Sequence, residues 1–426
     1  MSLNFETVSL GEHLYIKGRI GWKGLKKDEY LDQGNYRIIN ATALEEEGIN
    51  WDDCGYISKE RFEESPEIIL KDKDILISKD GTIGKLGYVK NLEMDSTVAS
   101  GIFVVRNQNE EYIDTDFLYY YFKSPFFKWF IKSVTEGSVI PHLYQRDFTD
   151  MEFNLFNLDT QKKCSSILNA IEEKINVNRK INKNLEQLMK CIFEDWFVNF
   201  NYSNDISFKS SELGEIPSNW NVKKLRDVLI VLESGKRPKG GISNIDDGIP
   251  SIGAENILGL GKFNYSKNKL ISHEFFSTLK KGVIQDKDVL LYKDGAQLGR
   301  KSLFMKGFPF DICCINEHVF RLQSNDEINQ FYLYLWLDQE VMTNEIINLN
   351  SNSAQPGINQ NDVKSLPILV PELKIISKFN KIISPMMNQI FDNALKINKL
   401  TNLRDTLLPK LMSGEIDVSK INCDLE

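Results

Sequence analysis

The chain has 426 residues, 42% of them hydrophobic and 26% charged, with a formal net charge of −8; that length predicts two or more domains, each burying its own core. The acidic balance, taken alone, argues against a nucleic-acid partner, yet an average over the whole surface conceals any basic face. No window approaches a membrane span, the opening MSLNFETVSLGEH lacks the basic-then-apolar pattern of a signal peptide, and six cysteines without a CxxC pair predict a reduced, cytoplasmic setting.

In chain order, residues 1–158 form a first globular segment. Strand-like runs such as GIFVVR (101–106) mix there with an aromatic helical run, DFLYYYFKSPFFKWF (116–130). Within it, DILISKDGTIGK (74–85) begins as a buried strand and ends in a turn with two glycines. Apolar residues then fall at Ile167, Ile171, Ile175, Ile181, Leu185, Leu188, Ile192 and Trp196. Steps of three and four dominate, which predicts a long helix with a narrow apolar stripe over 159–198. Residues 199–219 are polar, hold Gly214 and Pro217, and read as a linker. A second globular segment follows at 220–370, with EHVFRL (317–322), QFYLYLWL (330–337) and an Asn-rich loop at 344–361. Over 371–414 the stripe returns at Phe379, Ile383, Met386, Ile390, Ala394, Ile397, Leu400, Leu403, Leu407 and Leu411. Pro385 predicts a kink or a late helix start, Pro409 and Ser413-Gly414 predict its end, and 415–426 is a tail. Asn178 and Asn393 occupy the two seams, where a polar residue costs stability but fixes register.

The two halves repeat one another at an offset of 214 or 215 residues. Leu10 meets Leu225, and Gly34 and Ile38 meet Gly248 and Ile252. Asp74, Lys79, Asp80 and Gly81 meet Asp288, Lys293, Asp294 and Gly295 in DVLLYKDGAQLGRK (288–301). After one inserted residue Gly84 meets Gly299, Val104 and Arg106 meet Val319 and Arg321, and Pro141, Gln145 and Asp147 meet Pro356, Gln360 and Asp362. A period this long predicts two similar domains, each followed by the same connector. The expected architecture is α+β: two similar α/β domains from an internal duplication, with the two long helices paired with each other.

Catalytic motifs are missing. There is no Walker loop, the GLG at Gly259–Gly261 lacks its flanking pattern, and the four histidines are scattered without metal spacing. No GxSxG elbow and no Asn/Asp-Pro-Pro-aromatic signature occur, and Cys313-Cys314 reads as a buried structural pair. These negatives favour a binding protein over an enzyme. The repeated phrase surrounds its glycines with Lys79, Thr82 and Lys85 in one half and Lys293, Gln297, Arg300 and Lys301 in the other. Glycines permit close backbone approach, and the cations suit phosphate. Lys23 in GWKGLKK, Lys236 and Arg237 in SGKRPKGG, and Gln145, Arg146 and Asn359 beside the repeated Pro…Gln segment complete the candidate DNA-contact set. The bland alternative is a pair of hairpins whose lysines are merely solvated.

Several phrases together carry a family resemblance. SELGEIPSNWNVKKLRDV (211–228), the two glycine-turn phrases and LRDTLLPKLMSGEIDV (403–418) resemble the DNA-specificity subunit of type I restriction–modification systems over nearly the full length. NLDTQKKCSSIL lacks the family's usual Pro-Pro and Glu-Gln, and PELKIISKF keeps Pro371 without the Gln, which leaves the helix starts open. The resemblance implies a subunit with no active site and no cofactor or metal of its own. Each target-recognition domain would read half of a split double-stranded DNA site, and the two long helices would form an antiparallel coiled coil that holds the domains apart about a pseudo-twofold axis and sets the gap. Two methyltransferase (modification) subunits would dock and methylate adenine with S-adenosylmethionine. ATP- and Mg-dependent motor and nuclease (restriction) subunits would join them. The rival expectations are a standalone nuclease or methyltransferase and a protein-only coiled-coil adaptor.

Overall fold

The structure, a computed structural model, describes residues 5–20, 24–45, 48–136, 142–149, 151–202, 207–241, 245–350 and 356–418. The chain forms two compact units, Met1–Glu173 with Leu400–Glu426, and Lys174–Lys399. Among the described residues no helix is long and apolar enough to cross a membrane.

The first unit is built on a four-stranded antiparallel sheet, ordered Leu14–Gly18, Ile102–Asn107, Ile75–Ser78, Leu86–Tyr88. Strand Ile75–Ser78 is buried throughout. Ile75 and Ile77 enter one core with Phe103, Val105 and Phe117, whereas Leu76 enters another with Ile102 and Val104. Side chains alternate across a strand, so a strand covered on both faces reads as an unbroken aliphatic run. A smaller sheet joins Gly55–Ile57, Tyr36–Ile39 and Ser96–Val98, the last pair parallel. Glu6–Ser9 pairs with Glu152–Leu155. Helix Thr115–Lys123 starts where the Asp114 carboxylate accepts the Phe117 N–H at 2.8 Å, a side-chain N-cap.

The second unit repeats these three sheets in the same strand order. Its four-stranded sheet is ordered Leu229–Ser234, Val319–Ser324, Asp288–Tyr292, Lys301–Phe304. Its small sheet joins Leu270–Ile271, Ile249–Ile252 and Cys314–Ile315, again antiparallel then parallel. Asn221–Lys224 pairs with Pro367–Val370. Helix Gln330–Asp338 is capped by Asn329, which accepts the Tyr332 N–H at 2.9 Å.

The aspartate that opens each repeated phrase is structural. Asp74 is wholly buried and takes both Nε and Nη2 of Arg106 at 2.7 Å, plus the Lys71 N–H. Asp288 is likewise buried and is held by Arg321, which also reaches Glu233 at 2.9 Å. The two arginines do not occupy the same rung. Val105, just before Arg106, pairs with Ile75, whereas Arg321 itself pairs with Leu290. The linear offset that equates them is therefore out by one two-residue step, which keeps a side chain on the same face.

Each long helix, Leu158–Phe197 and Leu373–Met412, has 40 residues, and both contribute to each unit. In the first unit Cys164 and Leu168 share a core with Leu408, Leu411 and Met412, and Arg404 reaches Glu172 at 3.0 Å. In the second, Phe193 lies against Phe379 and Asn393 Nδ2 donates to Asn182 Oδ1 at 2.9 Å. Early residues of one helix meet late residues of the other within each unit, the mark of antiparallel pairing. The polar partner of Asn393 across the helix pair is thus Asn182, while Gln389 of its own helix donates to its Oδ1 at 2.7 Å. Asn178 is only 5% exposed, and its Nδ2 has no hydrogen-bond partner among the described residues. Ile181 and Leu188 face solvent, and Met189, Phe193 and Phe197 form the buried face instead.

Three local expectations are corrected. The second helix does not start late: it runs from Leu373 through Pro385, where Ile383, Met387 and Ile390 are wholly buried. That packing offsets a proline penalty of about 3 kcal/mol. Gly414, at φ 73°, follows its last turn, a left-handed C-terminal glycine. The polar linker contains a hairpin, Phe208–Ser211 with Gly214–Pro217, and ends at the fully buried Trp220, which stacks on Tyr202. The Asn-rich stretch begins inside helix Glu340–Asn348 and ends in helix Gln360–Ser365, with 351–355 outside the described residues.

Candidate nucleic-acid interface

The glycine turn of the first unit closes strand Ile75–Ser78 onto Leu86–Tyr88. Gly84 N–H donates to the Ser78 carbonyl at 2.9 Å, and the Ser78 hydroxyl donates to the Thr82 carbonyl at 2.6 Å while accepting the Lys85 N–H at 2.8 Å. Gly81 and Gly84 adopt φ of 64° and 83°, backbone that glycine takes without strain. At Gly84 there is a second constraint: a Cβ would lie 2.5 Å from Ile131 Cδ1. The turn is docked on a later segment, because the Lys79 carbonyl accepts the Leu143 N–H at 3.1 Å. Beside it Asp80 pairs with His142 Nδ1. The His142 ring lies 4.5 Å from that of Tyr144, and the Arg146 guanidinium lies over Tyr144 at 5.1 Å.

The second unit rebuilds this arrangement. Gly299 N–H donates to the Tyr292 carbonyl at 3.0 Å, and Gly295 and Gly299 have φ of 105° and 88°. The Lys293 carbonyl accepts the Ile358 N–H at 2.9 Å, and Asp294 holds His318 Nδ1 at 2.7 Å. His318 comes from the head of strand Val319–Ser324, not from the docked segment. The loop bearing Lys236 and Arg237 lies alongside: Gly235 N–H donates to the Asn316 carbonyl at 3.2 Å, and Arg237 reaches Glu317 at 3.5 Å.

The expected contact residues sort by their surroundings. Thr82, Gln145, Arg146, Lys236, Arg237, Gln297 and Arg300 are exposed, the Arg146 side chain by 81%. Lys79 and Lys293 are half-buried over the Phe103 and Phe320 rings, at 4.9 and 5.3 Å. Burial lowers the Lys79 pKa, opposed by the Asp80 charge. Lys85 donates to the Ala41 carbonyl at 3.3 Å and keeps part of its surface. Lys301 is buried, its ammonium bonded to Thr343, and burial pushes its pKa down to about 8. Asn359 caps helix Gln360–Ser365 by accepting the Asn361 and Asp362 N–H groups. Lys23 lies outside the described residues. Sequence reasoning missed His142, Tyr144, Glu317 and His318. Only the repeated aspartate that holds each histidine was visible, and the two histidines arrive from different parts of the fold. Among the described residues no cluster of His, Cys, Asp and Glu could hold a metal ion.

Comparison with known proteins agrees with this duplicated architecture. A family model described as the type I restriction modification DNA specificity domain matches residues 3–187 and again 217–404. The type I restriction enzyme MjaIX specificity subunit of Methanocaldococcus jannaschii is 25% identical, over 83% of this chain and 82% of the relative. The MjaVIII specificity subunit of the same organism is 25% identical over 98% and 94%. The HindI specificity subunit of Haemophilus influenzae is 24% identical over 82% and 87%. The fold is similar to the crystal structure of a type I restriction–modification S subunit from M. genitalium, at a TM-score of 0.59, 16% identity and 96% coverage of both chains.

Proposed function

The chain belongs to the type I restriction–modification DNA specificity family, and on that premise we propose that each unit reads one half of a split duplex-DNA site. The observation that carries this reading is the duplication of one surface. In both units a Lys-Asp-Gly turn docks through its lysine carbonyl on a later segment and holds an imidazole on its aspartate. The exposed or partly exposed polar groups around it are Lys79, Thr82, Lys85, Gln145 and Arg146 in one unit. In the other they are Lys236, Arg237, Lys293, Gln297 and Arg300. Cations on such a turn suit phosphate oxygens, and Gln and Arg suit base edges in the major groove. Lys301 is left out because its buried ammonium is bonded to Thr343, and Asn359 because its side-chain oxygen is taken by the N-terminus of helix Gln360–Ser365.

The family assignment supports this reading over both rivals, the standalone enzyme and the protein-only adaptor. The chain acts with other subunits. In our reading these are two methyltransferase subunits that methylate adenine with S-adenosylmethionine, and motor and nuclease subunits that use ATP and Mg. The paired long helices set the gap between half-sites. Sequencing methylated adenines in cells with and without this gene tests the reading. A bipartite motif should vanish with the gene. A motif that is unbroken, or that survives deletion, contradicts it.

A further inference from the structure

Helix Pro125–Thr135 has an outward face that the glycine turn does not account for. Its inner face is apolar: Phe127 is buried against Phe122 and Phe148, and Ile131 packs on Gly84. At 3.6 residues per turn, Trp129 and Lys132 fall opposite this face, with Lys128 and Phe126 on the two flanks. Trp129 is 72% exposed and Phe126 41%, and both lysines are exposed. Large aromatics rarely stay in water together without a partner. No carboxylate lies between Asp116 and Glu136, although the whole chain carries −8. The matching helix of the second unit, Glu340–Asn348, packs on its own turn in the same way, with Ile346 3.5 Å from a Cβ built at Gly299. It carries Glu340 and Glu345 and no cation.

We propose that the outer face of helix Pro125–Thr135 grips the sugar-phosphate backbone of duplex DNA flanking the first half-site, and that the second unit has no such grip. The inference rests on the reading that the glycine turns face DNA, because Ile131 fixes this helix beside the first turn. Lys128 and Lys132, one helical turn apart, take phosphates. The Trp129 indole N–H is a third donor, and its ring and that of Phe126 cover sugars. The occupant is a polyanion because, within the helix, the exposed aromatics are paired with cations and no carboxylate, the first one being Glu136 after its last turn. An acidic protein surface is the competing occupant that the test separates. The contacts are sequence-independent, so they add affinity without changing the motif.

The experiment measures DNA affinity against salt for the complex assembled with its methyltransferase subunits. The forms compared are wild type, Lys128→Gln/Lys132→Gln, Trp129→Ala and Arg300→Ala. Each lost phosphate contact lowers the slope of log affinity against log salt by about 0.9, so the double lysine variant should lose about 1.8. Trp129→Ala should weaken binding severalfold, with thermal unfolding and methylated motif unchanged. If Arg300→Ala flattens the slope and the lysine variant does not, this inference falls and the reading of the turns stands. If neither changes the slope, the reading of the turns falls with it. Loss of methyltransferase co-assembly in Trp129→Ala, with the slope intact, would make the face a protein-docking surface and overturn the proposal.

Discussion

Replacing Arg321 with Met strips the guanidinium from two carboxylates, Asp288 and Glu233, on the two strands that flank its own in the second sheet. Removing one partner of a buried ion pair costs about 3–5 kcal/mol. Here each carboxylate keeps one backbone donor, Gln285 N–H at 2.6 Å for Asp288 and Gly282 N–H at 2.8 Å for Glu233. The lower end, about 3 kcal/mol, is therefore expected. Burial already holds the Asp288 carboxyl above its ordinary 3.8, against the lowering effect of Arg321. An acid whose folded pKa is raised contributes stability below its unfolded value and loses it as pH rises through the folded one. Removing Arg321 raises Asp288 further, so the deficit should be largest near neutral pH and shrink on acidification toward about pH 4. Hydrogen exchange of the amides in strand Asp288–Tyr292 reads this locally, and about 3 kcal/mol is roughly a hundredfold faster exchange. Arg106→Met should cost the first unit less, because the Arg106 side chain is 24% exposed and water reaches the site. Exchange accelerated less than threefold, or a deficit that grows on acidification, would refute the assignment of Arg321 as the clamp on Asp288.

Three further outcomes are expected. Lys85→Ala should weaken DNA binding and flatten its salt dependence by about 0.9 units of slope; an unchanged slope would leave Lys85 as no more than a tether to the Ala41 carbonyl. Lys301 has a folded pKa lowered from 10.5 to about 8, so second-unit stability should rise as pH climbs through that interval. That rise should be absent from Lys301→Met, as followed by hydrogen exchange of strand Lys301–Phe304; a rise that persists would place its origin elsewhere. Inserting four residues near Lys183 adds about one helical turn, roughly 6 Å, close to two base pairs at about 3.4 Å each. The methylated half-sites should stay the same while their gap lengthens, and an active variant with the original gap would show that these helices do not set it.

Much of the fold was legible because the determinants were local and repeated. DILIS and DVLLY read as buried strands since both faces of each meet a core, and glycine spacing announced the turns. The long helices were visible from apolar periodicity, but the buried face was not. Steps of three and four fit several neighbouring stripes, and only packing selects Met189 and Phe193 over Leu188. Asn178 was an equally good seam residue on paper, yet the hydrogen bond belongs to Asn182. Residues 208–217 were lost to their polarity, because a short exposed hairpin has little apolar pattern to declare it. At the interface, charge identified Lys301 as readily as Arg300. Burial separates them, and burial depends on the helix that supplies Thr343. His142 and His318 could not be found by offset, since they reach equivalent aspartates from unrelated positions.

The central claim is that each unit reads its own half of the DNA site. Exchanging residues 1–158 for the equivalent segment of another specificity subunit, then sequencing the methylated adenines, tests it most directly. The account predicts that one half of the bipartite motif changes and that the other half stays as it was. A motif in which both halves change, or in which neither does, would contradict it.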